Sequence, residues 1–123
     1  MAELASYIGV TPRTLQGNGA INRGLRVIVN SSGTVDVAGA TVRGDFVLLA
    51  DIEALLPGVG VSLAGGGKVP ARASEAVNVG DLAYAAANGF FSKTSTNAAA
   101  LGRWVLAASG NNILGEVELF DVA

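Results

Sequence analysis

The sequence predicts an all-β domain, a small β-barrel or compact sandwich with an extended N-terminal arm. Three observations predict it. Apolar and polar residues alternate with period two in several short runs, which Gly-, Asn- and Ser-rich turns separate. Asn88-Gly89, the pair best suited to two successive positive-φ positions of a type I′ hairpin, joins two of those runs. Half of the residues are hydrophobic and only 6% aromatic, so the core must be built of small pieces, chiefly Ala, Val, Leu and Ile.

At 123 residues the chain fits one domain with one core. Residues 1–24 show neither helical period nor sustained alternation and hold Pro12, Gly17 and Gly19, so they read as an arm; residues 25–123 read as a single β domain. Leu4, Tyr7 and Ile8 are more apolar material than a solvated tail requires. The arm either packs on its own domain or orders against a neighbouring subunit.

From Leu25 onward the elements follow in order. Leu25, Val27 and Val29 alternate with Arg26, Ile28 and Asn30; a turn at Ser31-Ser32-Gly33 leads to Val35 and Val37, giving a hairpin with one buried face. Residues 41–49 are rich in β-branched and aromatic side chains, and Gly44 inside them predicts a bend or bulge. Residues 51–56 are the one segment where a helix is a fair expectation, with Asp51 as N-cap and Pro57-Gly58 as the stop. Val59, Val61 and Leu63 then return to strand, Gly65-Gly66-Gly67 reads as a strand breaker, and Val69 and Ala71 resume. Ala83-Tyr84-Ala85 and Phe90-Phe91-Ser92 flank the Asn-Gly turn, and residues 101–107 and 113–120 form the closing hairpin. Seven to nine strands result.

The chemistry is limited by what is missing. There is no histidine and no cysteine, so Ser-His-Asp and Cys-His nucleophiles, disulfides and zinc thiolates are excluded, and no catalytic or metal site is expected. Glu116 and Glu118 fall on one face of a predicted strand, where a solvated face is the plain reading. Gly65-Gly66-Gly67-Lys68 fails as a phosphate loop because Ser62 stands where its first Gly should be and Val69 follows the lysine. Arg43-Gly44-Asp45 is short enough to arise by chance, and inside a strand it is badly displayed for a receptor. Asp45, Asp51 and Glu53 lack calcium-loop spacing. No cofactor is expected.

The formal net charge is −2 with 15% charged residues, and the eight Lys and Arg are scattered. Neither nucleic acid nor a membrane is expected as a partner, since both require a basic patch. A surface this poor in charge is expected to lie partly against other protein. Trp104 is expected as a core anchor, with an interface role as the alternative. Phe90 and Phe91 must point to opposite faces of their strand, and Phe91 is taken as the one that a partner covers. The N-terminus has neither the basic nor the continuous apolar region of a signal peptide, which predicts synthesis and folding in a cytoplasm.

The order GGGKVPA, VGDLAY, NG, LGR and GEVEL within residues 41–119 resembles the small capsid cement, or head-decoration, proteins of tailed bacteriophages. The resemblance implies a barrel-like module without enzymatic activity that binds the exterior of the virion head and bridges major capsid subunits. Its implied partners are the major capsid protein and copies of itself, a homotrimer ahead of a dimer. Leu4, Tyr7, Ile8 and Phe91 are the expected contacts. A head fibre base, a tail part or a surface carbohydrate-binding module are the other readings; the scarcity of aromatic platforms weighs against the last.

Overall fold

Runs of Val, Leu and Ile too short for helices form ten strands in the computed structural model, which describes residues 12–17, 19–40, 42–53, 57–95 and 99–121. They are β1 (Pro12–Gln16), β2 (Arg26–Val29), β3 (Val35–Val37), β4 (Phe46–Leu48), β5 (Pro57–Ser62), β6 (Gly65–Ala73), β7 (Leu82–Ala85), β8 (Phe91–Ser92), β9 (Gly102–Leu106) and β10 (Ile113–Asp121). The all-β expectation holds. The first five make a sheet in the order β1-β5-β4-β2-β3, and the last five close into a barrel in the order β10-β6-β8-β7-β9. Gly17, just past β1, bridges Val35 of β3, so the sheet rolls until its outer strands meet. Closure of the barrel and this near-closure leave little free edge for stray strand pairing.

The two units share a wall. In β4, Val47 and the following Leu49 point into the main core with the barrel residues Val69, Ala71, Phe91, Trp104 and Val117, whereas Leu48 and Phe46 face a second core with Ile21, Leu25, Val27, Val35 and Ile52. β5 does the same with smaller residues. Val59 and Val61 face the main core, and a Cβ on Gly58 or Gly60 would run into Ile52 or Leu15 of the second. A strand covered on both faces is apolar throughout, as Phe46-Val47-Leu48-Leu49 is. One expected core is therefore two cores on either side of β4 and β5.

Several expectations are corrected. The described part of the arm packs on its own domain, the first of its two readings, but as sheet and not as an irregular arm: β1 pairs with β5 from Pro12↔Val61 to Gln16↔Pro57, and Ile21 bridges Ile52. The partner lies some forty residues away, beyond any local period. Leu4, Tyr7 and Ile8 lie outside the described residues. The helix at 51–56 does not begin: Asp51 Oδ1 accepts the Arg23 N–H at 2.6 Å and Ile52 is in a bridge, while residues 54–56 lie outside the described set. Gly65-Gly66-Gly67 is not a breaker but the start of β6, with Gly67 opposite Leu119 and Gly65 opposite Asp121. Backbone pairing to β10 supplies what the missing side chains do not. Gly44, at φ +92°, lies ahead of β4 rather than inside a strand, where its lost Cβ lets the backbone pass Leu63 and the Val27 carbonyl.

The hairpin of β2 and β3 forms as expected, Val27↔Val37 and Val29↔Val35, about a turn in which the Gly33 N–H donates to the Asn30 carbonyl at 3.0 Å. Its one-face alternation fails. Arg26 is fully buried, whereas Val29 and Val37 are exposed. The Asn88-Gly89 hairpin holds: both residues have positive φ, 58° and 78°, the Phe90 N–H reaches the Ala87 carbonyl at 3.2 Å, and Ala85 pairs with Phe91.

Trp104 anchors the barrel as expected. It has no exposed surface, meets Phe91 edge-on at 6.3 Å, donates its indole N–H to the Ser92 carbonyl at 3.3 Å, and rests on Gly115. As the single tryptophan it reports on this core alone. Its emission is expected to be short-wavelength and shielded from acrylamide in the folded protein, with both properties lost together on unfolding. A native emission maximum as red as that of the unfolded chain contradicts the packing.

Candidate interaction surface

The main electrostatic feature is a cation that alternation placed outside. Arg26 follows Gly24-Leu25 at the start of β2, and the chain there enters the crevice between the rolled sheet and the barrel, with no surface left to its side chain. Its Nε donates to the Phe90 carbonyl at 3.1 Å, one terminal nitrogen to the carbonyls of Val42 and Arg43, and the other to those of Gly39, at 3.2 Å, and Ala86. All five guanidinium N–H groups thus have an acceptor. The Phe91 ring lies 5.7 Å from the guanidinium carbon, within cation–π range. Desolvation by burial lowers the Arg26 pKa to about 10, so the group still carries its charge at neutral pH.

The five acceptors come from both units. Gly39, Val42 and Arg43 lie on the loop from β3 to β4, and Ala86 and Phe90 flank the Asn-Gly turn of the barrel. The Gly89 N–H donates to the Ala38 carbonyl at 2.8 Å, a further direct tie between the same loops. A Cβ on Gly89 would meet the Arg26 carbonyl at 2.8 Å, so only glycine allows this approach. No sequence signal marked Arg26: one Arg in an apolar run reads as the polar side of an alternating strand.

Phe91, expected beneath a partner, is corrected. It is fully buried against Trp104 and Arg26, because β8 turns that side chain into the barrel; Phe90 is half-buried and packs on the second core. The exposed large apolar side chains are others, among them Val42, Val79 and Leu106. Residues 77–80 run antiparallel along 104–108, through the Val77↔Ala108 bridge and the Gly80 N–H to Trp104 carbonyl bond, which sets Val79 (65% exposed) beside Leu106 (52%).

On the outer face of the barrel the register places Lys68, Glu118 and Arg103 in one row across β6, β10 and β9. Glu116 stands opposite Pro70 and Leu106, next to the bulge that interrupts β9–β10 pairing. Both glutamates therefore sit beside the buried Val117 and Leu119 on the outward side of β10, the arrangement of a solvated strand face. Arg43-Gly44-Asp45 lies in a loop rather than a strand, but the Asp45 carboxylate accepts the Val29 N–H at 3.0 Å and the Arg43 carbonyl belongs to Arg26. Among the described residues no three His, Cys, Asp or Glu side chains gather as a metal site.

No family model matches the chain, and no curated protein matches it. Among solved structures it is similar to the N base of the head fibre protein gp8.5 of bacteriophage phi29, with a TM-score of 0.69 at 15% sequence identity over 91% of this chain and 95% of that one. The rolled sheet and closed barrel described above are thus a fold that this chain has in common with a phage head fibre base.

Proposed function

We propose that the protein is a structural component of a tailed-phage virion, attached to the exterior of the head and without catalytic activity. The observation that carries this reading is the fold in common with the phi29 head fibre base over nearly the full length of both chains. The motif order in residues 41–119 supports it independently. In the cement form, the module bridges neighbouring major capsid subunits as a homotrimer, or as a dimer, and several weak contacts made together give avidity of ~10² to 10⁴ over one. The second form, a base on which a fibre stands, is favoured by the solved structure itself.

Both forms predict that the purified protein co-sediments with heads assembled without it. Absence of binding overturns the reading. The forms then separate: a cement raises the temperature at which heads release their DNA, whereas a fibre base leaves that temperature unchanged. Leu4, Tyr7 and Ile8 are proposed as contacts on sequence grounds. Deletion of residues 1–10 is expected to weaken attachment with little change in the thermal midpoint of the isolated protein. Equal binding of the truncated and full chains removes these three residues from the interface.

A further inference from the structure

Arg26 does something an apolar residue does not. Taking a cation out of water is costly, and apolar packing joins two β units without that cost, as β4 and β5 already do here. A guanidinium adds direction, because its N–H groups lie in one plane in a fixed fork and dictate where the accepting carbonyls point. Those carbonyls belong to two loops, through Gly39, Val42 and Arg43 from the sheet and Ala86 and Phe90 from the barrel. Arg26 thus holds both loops side by side in one conformation. Above it, Gly39, Val42, Arg43, Ala87 and Asn88 are exposed. Loops ordered in advance bind without the entropy loss of ordering, which is how a rigid scaffold presents recognition residues.

The charge of this surface is net positive, with Arg26 and Arg43 against the one carboxylate of Asp45. Residues 38–44 and 84–92 contain Arg43 and no Asp or Glu, and Arg26 lies beneath them, in a chain whose net charge is −2. Asp45, the residue after Gly44, is exposed and keeps its negative charge, but its carboxylate is turned to the Val29 N–H, at the opposite end of β2 from Arg26. A positive focus on an acidic protein draws carboxylates, and Val42, 46% exposed, adds apolar contact. We propose that this loop pair is the surface by which the module grips its partner, and that the partner presents to it an acidic segment of protein with apolar side chains. The proposal rests on the head-attachment reading and locates its contact. The Val79–Leu106 pair on the barrel has no comparable support from a buried cation and lies on the same outer face as Glu116, so it serves as the control.

The test uses the full chain and phage heads assembled without it, with binding measured by co-sedimentation at ~50 mM and ~500 mM NaCl. Arg43→Glu reverses the charge of one loop, and Asn88→Asp adds a negative charge to the other at nearly constant shape. Aspartate tolerates the φ of 58° found there, and the Arg43 side chain is exposed, so both variants are expected to keep the wild-type circular dichroism spectrum. Each is expected to weaken binding about tenfold or more at low salt, with a smaller loss at high salt, whereas Val79→Asp binds as wild type does. Wild-type binding that survives both loop substitutions, or that is lost only in Val79→Asp, overturns the loop assignment and leaves head attachment standing. Failure of the wild-type chain to bind heads at all overturns head attachment and this proposal with it.

Discussion

Replacement of Arg26 by Met is expected to lower the stability of the protein by about 3 to 5 kcal/mol, and its thermal midpoint by roughly 10 to 20 °C. Met fills much of the same volume and removes a desolvated charge, two changes that favour the variant. The loss comes from the other side of the five hydrogen bonds. The carbonyls of Gly39, Val42, Arg43, Ala86 and Phe90 are backbone groups that no substitution removes; without the guanidinium those of Val42, Arg43 and Ala86 lose their donor in the crevice, and those of Phe90 and Gly39 keep only the N–H groups of Ala86, at 2.9 Å, and Val42, at 3.4 Å. Arg26→Lys is expected to fall between the two, because an ammonium offers three donors in place of five. The pH dependence has a definite sign. Burial lowers the folded pKa to about 10, so stability from this group rises with pH only above that value, where the folded state sheds its proton before the unfolded state does. From pH ~5 to ~9 both states hold the proton, and the deficit of Arg26→Met is expected to be flat across that range. Denaturant titration of both proteins at several pH values measures it. A deficit below about 1 kcal/mol contradicts the role assigned to Arg26.

Gly102→Ala is expected to cost about 3 kcal/mol or more, at the upper end of overpacking substitutions. Gly102 opens β9 opposite Leu119 of β10, and its backbone conformation is one that any residue adopts, so the constraint is space alone. A Cβ there would run into the Glu118 carbonyl oxygen and lie 2.8 Å from Val117 Cγ1. The first obstacle is backbone within a hydrogen-bonded ladder, and the second is a side chain with no exposed surface. Neither yields without opening the pairing that closes the barrel. Gly110 is the matched control. It lies in the turn between β9 and β10, a methyl group on its Cα would meet no heavy atom within 4 Å beyond its chain neighbours, and it does not have positive φ. Gly110→Ala is therefore expected to leave stability within ~0.5 kcal/mol, or to raise it slightly by restricting the unfolded chain. Equal effects of the two substitutions in denaturant titration contradict the close approach at Gly102.

Features that rest on a few neighbouring residues were legible before any fold was known. Asn88-Gly89 specifies its turn because two successive positive φ angles are a property of two residues. The β2–β3 and β9–β10 hairpins follow from short strands on either side of a turn, and Trp104 from the burial its size rewards. The absence of His and Cys, which bounds the chemistry, is likewise a matter of composition. Where a feature depends on a partner distant in the chain, local pattern misled. β1 looked like an arm because what makes it a strand is β5, and the glycine run of β6 looked like a break because what holds it is β10. Phe91 and Phe90 could be assigned to opposite faces but not to inside and outside, since that choice depends on where β8 docks in the barrel. Arg26 is the sharpest case. Its position in an alternating strand points to solvent, and only the docking of the barrel turn and of the β3–β4 loop above it encloses the side chain and brings five carbonyls from two units within its reach. Period and turn chemistry act over a few residues, whereas burial and the meeting of Arg26 with carbonyls some sixty residues away arise only when the whole chain has closed on itself.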